Sequence, residues 1–79
     1  MKVHELKIED KYFDAIRFNL KNFEIRFNDR NFKVGDRLIL HNIRTGEFLA
    51  VEIIYMLSHE EFKGIAEGYV ALSLRKMFS

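Results

Sequence analysis

The residue types best suited to chemistry lie in one short segment, residues 21–26, where a lysine precedes a glutamate and an arginine. In an extended strand, Glu24 and Arg26 share a face because side chains two residues apart point the same way. A carboxylate accepts N–H groups and a guanidinium presents a forked donor, so with Lys21 the pair could hold a planar polar ligand. The same spacing also suits a surface ion pair worth less than about 1 kcal/mol. Both interpretations are open at this point.

Four further side chains are candidates for the same site. Arg30 could extend it from the turn after the strand, or could be solvated beside Asp29. His4 has the parity of the apolar positions of the first strand and could line a cleft, or could be a satisfied, half-buried histidine. Lys7 could add positive charge or solvate the strand. Tyr69 could stack on a base, or could pack in the core with its hydroxyl in water.

Charge is unevenly distributed, although the formal net charge is only +1. Six basic residues stand against three acids between positions 17 and 37, whereas five glutamates stand against one lysine between positions 45 and 68. A positive segment suits an anionic partner, because Lys and Arg supply the contacts that neutralise phosphates. The charges could instead solvate exposed strand faces. The near balance over the whole chain excludes a bulk polyanion binder of the histone-like class.

Composition and motifs exclude several other classes of protein. A length of 79 residues, 48% hydrophobic and 32% charged, is typical of a single globular domain over residues 1–79. Without cysteine, and with three histidines far apart, neither disulfides nor a metal site is expected. We expect a cytoplasmic protein with no membrane partner, because no segment has the length of a membrane span or the pattern of a signal peptide. The chain has no phosphate-binding glycine loop and no nucleophile elbow, so no cofactor is expected. Lys21 is then the one candidate catalytic residue, and it would have to lose its proton to act as a nucleophile.

Hydrophobic periodicity predicts one helix and five strands. Apolar residues recur with helical spacing from residue 9, and Asn19 is expected near the helix end, where a left-handed residue often closes a helix. Period-two alternation predicts strands over residues 3–8, 22–28, 37–43, 48–57 and 69–76. The strand over 48–57 is apolar on both faces and is expected to be central or to bend the sheet.

These elements favour an α+β, mainly β fold. The economical arrangement is a small curled β-barrel of about five strands or a strongly curled sheet, closed to remove its edges, with the helix after the first strand and against one opening. Most phenylalanines are expected in the core, because the chain has no tryptophan. The phenylalanines predicted to be in the core are Phe13, Phe23, Phe27, Phe48 and Phe62. Phe18 and Phe32 lie off the clear apolar stripes and are expected at the surface.

An ordered string of segments resembles a known family. The segments are HELKI (4–8), YF (12–13), KNFEIR (21–26), NDR (28–30), VGD (34–36) and GYV (68–70). Together they are similar to small bacterial and phage proteins of the ASCH-like branch of the PUA-like superfamily. The ASCH signature reads glycine, any residue, lysine, two residues, glutamate, any residue, arginine. Lys21, Glu24 and Arg26 match it, and Asn19 takes the place of the glycine.

The resemblance implies a PUA-like β-barrel that binds RNA or a modified nucleotide in a cleft between helix and barrel. Lys21, Arg26 and Arg30 would then meet phosphate or base acceptors, and Glu24 would read exocyclic amino groups. Some ASCH-like proteins are amidohydrolases of acetylated cytidine, and Lys21 matches their catalytic lysine, although Glu24 stands where they have threonine. The alternative function is therefore a small amidohydrolase acting on a modified nucleoside. A third is a protein–protein adaptor using the acidic segment between residues 45 and 68.

Overall fold

The computed structural model describes residues 1–77, which form one α-helix and five β-strands. In chain order these are β1 (Val3–Ile8), α1 (Asp10–Arg17), β2 (Phe23–Phe27), β3 (Arg37–Asn42), β4 (Phe48–Ser58) and β5 (Tyr69–Lys76). The strands make one curled sheet in the order β1-β3-β4-β5-β2. Strands β1 and β3 are parallel, and the other neighbours are antiparallel. The prediction of a mainly β fold with one helix after the first strand is confirmed.

Strand β4 lies at the centre of the sheet and helps to curl it. Its register against β5 shifts between Ile53 and Tyr55. A bulge of this kind bends a strand and increases its local twist. The segment that is apolar on both faces was expected to be central or to bend the sheet, and this expectation is therefore confirmed. Helix α1, the only helix in residues 1–77, falls short of the length and apolarity that a membrane span requires.

The core fills the concave side of the curled sheet. Alternate residues of β1, β3, β4 and β5 point inward, and the helix contributes Phe13 and Ile16. Val70, Leu72 and Leu74 of β5 are among these inward residues. Each fully buried Leu, Ile or Phe side chain contributes roughly 1.5–3 kcal/mol of hydrophobic stabilisation.

Several of the phenylalanine predictions are wrong. Of the five placed in the core, only Phe13 is buried, whereas the other four are about half or more exposed: Phe23, Phe27, Phe48 and Phe62. Phe18 is exposed, as predicted. Phe32, expected at the surface, is only 3% exposed. It enters the core from the loop before β3, where its ring lies edge-on to His4 at 4.9 Å between centroids.

The sheet does not close into a complete barrel. Among the described residues, β1 and β2 are the two edges of the sheet and share no backbone ladder, so of the two expected arrangements the structure has the strongly curled sheet. Two arginine side chains span the gap between these two edges, which we call the seam. Arg26 Nη2 donates to the Lys7 carbonyl at 3.0 Å, and Arg30 Nη1 donates to the Glu5 carbonyl at 2.8 Å.

A buried hydrogen bond between His4 and Asp36 fixes the start of β1 to the loop before β3. His4 Nε2 lies 2.8 Å from Asp36 Oδ2, and both side chains are buried. Burial by itself raises the pKa of Asp36, but hydrogen bonds from His4 and from the backbone N–H groups of Lys2 and Lys33 outweigh it. The pKa of Asp36 therefore lies below its ordinary value.

Candidate functional site

The end of helix α1 delivers Lys21 to the mouth of the seam. Asn19 has φ of +62°, the left-handed conformation predicted for it. The N–H of Asn19 donates to Ile16 O and the N–H of Leu20 donates to Ala15 O. These are the two bonds of a Schellman motif, which ends a helix and turns the chain sharply. Lys21 N–H also donates to Ala15 O, so the turn holds this lysine two residues before the start of β2.

Strand β2 faces the opposite way from the pattern expected of a half-buried strand. Its alternation is strict, but Glu24 is 5% exposed and points inward, whereas Phe23, Ile25 and Phe27 point outward. A buried carboxylate requires paired charges or hydrogen bonds. Lys21 and Arg26 satisfy this requirement on either side of Glu24.

Lys21, Glu24 and Arg26 form what we call the floor triad. Lys21 Nζ donates to Glu24 Oε1, and Arg26 Nε donates to Glu24 Oε2 at 2.8 Å. The side chains of Glu24, Lys21 and Arg26 are 7%, 16% and 28% exposed. The carboxylate is thus used on both oxygens, whereas the two cations keep access to solvent.

Aromatic faces surround the lysine of the floor triad. Its ammonium lies 5.3 Å from the ring centroid of Tyr12 and 5.0 Å from that of Phe23. Lys21 Nζ also donates to the Phe23 carbonyl at 2.7 Å. Cation–π contacts at such distances stabilise a charged ammonium. The contacts of Lys21 are therefore those of a positioned cation.

A cleft of about 970 Å³ opens above the floor triad, between the helix, the end of β1 and the free edge of β2. Its volume falls in the range of small-molecule sites. Four of its lining residues are basic and two are acidic, and its walls are largely apolar or aromatic. The side chains at its walls and rim include Lys7, Lys11, Tyr12, Phe23, Phe27 and Tyr69.

Most of the predicted site residues meet at this cleft. Lys7, Lys21, Glu24, Arg26 and Tyr69 all line it. Tyr69 is held edge-on to Phe27 at 5.5 Å between ring centroids.

Two predicted residues lie elsewhere. Arg30 lines a smaller hollow next to the cleft, together with Arg26 and Phe27. His4 is buried against Asp36 and Phe32 and does not line the cleft. Of the two interpretations of His4, a cleft-lining residue or a buried histidine with its hydrogen bond satisfied, the second is therefore the one observed.

A glycine lets β2 and β5 approach closely beside the cleft. Gly68 has φ of +82°, and a Cβ there would lie 2.6 Å from Phe27 Cε1. Only glycine adopts this conformation without strain while leaving room for the Phe27 ring. Gly68 therefore sets the position of the aromatic pair formed by Phe27 and Tyr69.

The sequence reasoning missed nine of the fourteen cleft residues, four of which have a role in the site. Tyr12 and Lys11 project from α1 beside its buried stripe, and Phe23 and Phe27 were assigned to the core. For Tyr12, the sequence did contain a signal. Tyr12 lies three residues before Ala15, and residues three apart share one face of a helix. No such signal identified the outward face of β2.

The arrangement is suited to binding a polar, planar molecule. Within residues 1–77 no group of three His, Cys, Asp or Glu side chains could hold a metal ion. The cleft instead combines aromatic faces, which stack on planar rings, with directed N–H donors. It has the elements of a recognition site for heterocycles.

Comparisons with known proteins agree with this fold. A family model described as "Domain of unknown function (DUF3850)" matches residues 3–74. An "Uncharacterized 12.9 kDa protein in GpA 3'region" of Escherichia phage P2 is 47% identical over 47 residues, which cover 60% of this chain and 43% of the phage protein. The match thus spans less than half of that curated relative. The crystal structure of hypothetical protein PH0355 superposes with a TM-score of 0.67 at 19% identity, covering 98% of this chain and 100% of that one. At this identity the likeness shows a shared fold alone.

Proposed function

From the premise that this chain belongs to the DUF3850 family, whose function is unknown, we propose that it binds RNA or a modified nucleotide in the cleft above the floor triad. We also propose, on the resemblance of residues 19–26 to the ASCH signature, that it is an ASCH-like domain of the PUA-like superfamily. Binding would take place in the cytoplasm.

One observation carries this proposal: two cations are held by one buried carboxylate at the base of an aromatic cleft. Glu24 fixes Lys21 and Arg26 in place, so neither has to be ordered when a ligand binds. Preorganisation of this kind raises affinity because less side-chain entropy is lost on binding. Single-stranded nucleic acids are bound in this way, by aromatic stacking combined with positive charge.

Each part of the cleft has a role in this proposal. The rings of Tyr12, Phe23 and Tyr69 offer stacking surfaces at its walls. Lys7 and Lys11 are exposed at its rim, and neither makes an ion pair within residues 1–77, so they are available for phosphates.

A titration at two salt concentrations tests the proposal. Single-stranded RNA, duplex RNA and a panel of modified nucleosides are titrated into the protein by calorimetry, in parallel with Lys21→Ala and Arg26→Ala. We expect the Arg26→Ala variant to bind about 10- to 100-fold more weakly, because one specific contact is worth about 1–3 kcal/mol. The matched control is Arg75→Ala, which removes the same charge from an exposed pair with Glu52.

Two results would contradict the proposal. The first is an affinity that neither Lys21→Ala nor Arg26→Ala changes while both variants keep their circular dichroism spectra. The second is an equal loss in Arg75→Ala, which would reduce the effect to general electrostatics. Turnover of acetylcytidine that disappears in Lys21→Ala would assign the cleft to the amidohydrolase alternative instead.

A further inference from the structure

The floor triad exposes its hydrogen-bond donors to a ligand more than its carboxylate, because the Glu24 side chain is 7% exposed and those of Lys21 and Arg26 are 16% and 28% exposed. Both oxygens of Glu24 already accept, one from Lys21 and one from Arg26. An ammonium has three N–H groups, of which Lys21 uses two, for Glu24 and for the Phe23 carbonyl. A ligand group that reaches the triad therefore meets the N–H groups of Lys21 and Arg26 before the buried carboxylate, and an acceptor suits it best.

Arg26 keeps the larger share of free donors. A guanidinium has five N–H groups. Within residues 1–77, Arg26 uses its Nε–H for Glu24 and one Nη2–H for the Lys7 carbonyl. Three N–H groups on its two terminal nitrogens are left, and two neighbouring ones can act as a fork. Such a fork matches two adjacent acceptors in one plane.

A phosphate is a poorer match for this fork than a base. The Glu24 carboxylate lies 2.8 Å from Arg26 Nε, so an anion bound at Arg26 would approach a buried negative charge. Within residues 1–77, neither Lys7 nor Lys11 at the rim is paired with a carboxylate. Phosphate is therefore expected at the rim and the base at the triad.

We propose that the base recognised at the triad is a 6-oxopurine, guanine or hypoxanthine, which is a specification of the nucleotide-binding function proposed above and rests on it. These bases present O6 and N7 as adjacent acceptors, the pair that arginine reads in bidentate fashion. Adenine has an amino group in place of O6, which would face a donor of Arg26 with no acceptor available. The aromatic walls of the cleft provide stacking surfaces for the double ring.

The test compares four bases that differ by single atoms or groups. Guanine, hypoxanthine, 7-deazaguanine and adenine are presented as 5′-monophosphates and as the single central base of a short fluorescein-labelled oligouridine. Affinities are measured by calorimetry for the former and by anisotropy for the latter. We expect guanine and hypoxanthine to bind at least about tenfold more tightly than adenine, and 7-deazaguanine to lose about tenfold through the missing N7.

A pair of conservative variants separates base reading from charge. Arg26→Lys keeps the positive charge but removes the fork, so the preference for guanine over adenine should fall to less than about threefold. Arg30→Lys is the matched control, because Arg30 also bridges the seam but lies outside the cleft. It should leave the preference unchanged.

The outcomes distinguish this inference from the function on which it rests. Adenine binding as tightly as guanine, or a guanine preference that survives in Arg26→Lys, would overturn the 6-oxopurine assignment alone, provided that binding still depends on Lys21. Failure of every nucleotide and RNA to bind would overturn both proposals.

Discussion

Glu24→Gln should be the most destabilising conservative substitution in the cleft. The amide has one acceptor oxygen and an NH₂ donor in place of two acceptor oxygens, so either Lys21 or Arg26 would face a donor. Both cations would also lose the negative charge that neutralises them. The folded state would then hold two positive side chains next to each other beneath helix α1, without a counter-charge.

The size of the effect follows from the burial of the three side chains. Removing one partner of a fully buried ion pair costs about 3–5 kcal/mol. Glu24 is nearly buried, but Lys21 and Arg26 are 16% and 28% exposed, and their solvent access lowers the cost. We expect a loss of about 2–3 kcal/mol in the free energy of unfolding. For a domain of this size that corresponds to a fall in Tm of about 10–20 °C.

Urea unfolding followed by far-ultraviolet circular dichroism measures this free energy, since the chain has no tryptophan for fluorescence. Glu52→Gln is the matched control, because it makes the same change in an ion pair whose arginine, Arg75, is largely exposed. That variant should lose less than about 1 kcal/mol. If Glu24→Gln were no more destabilising than Glu52→Gln, Glu24 would not be a buried carboxylate that holds Lys21 and Arg26 in place.

Three further predictions concern the parts of the fold that support the site. Because the pKa of Asp36 is lowered in the folded state, the ionised carboxylate stabilises the fold above pH 3.8, its ordinary pKa, and this contribution should be lost as the pH falls through the lowered pKa. Asp36→Asn should lack this part of the pH dependence when urea midpoints are compared between pH 6 and pH 3. An unchanged dependence would disprove the role of the pair formed by His4 and Asp36. Phe32→Ala should cost about 3–5 kcal/mol and Phe48→Ala less than about 0.5 kcal/mol in the same urea assay, and the reverse order would contradict their burial. Asn19→Gly should raise stability by about 0.5–1 kcal/mol, because glycine adopts the left-handed conformation without strain, and a loss of stability on thermal melting would contradict this.

Local patterns determined most of the elements. The position of α1 and its closure at Asn19 follow from helical periodicity and from the few residues that tolerate positive φ, both of which depend on near neighbours in the chain. The apolar residues on both faces of β4 predicted a central or bending strand, and β4 is central, although one face leaves Phe48, Ile54 and Tyr55 exposed. These inferences required no knowledge of what packs against each element.

Which face of β2 is buried could not be read from its alternation. A period of two separates the strand into two faces, but it does not say which face points inward. Here the polar face is inside, because Lys21 and Arg26 supply the charges that allow Glu24 to be buried. Phe32 fills core space from a loop that has no periodicity to reveal it.

The candidate site shows the same division. The sequence by itself determined that Lys21, Glu24 and Arg26 are neighbours, because residues two apart on a strand share a face and the lysine directly precedes that strand. Only the tertiary structure brought Tyr12 and Lys7 to the same cleft. It did so because the sheet order leaves β1 and β2 as facing edges, and that order depends on strand pairings between residues far apart in the chain.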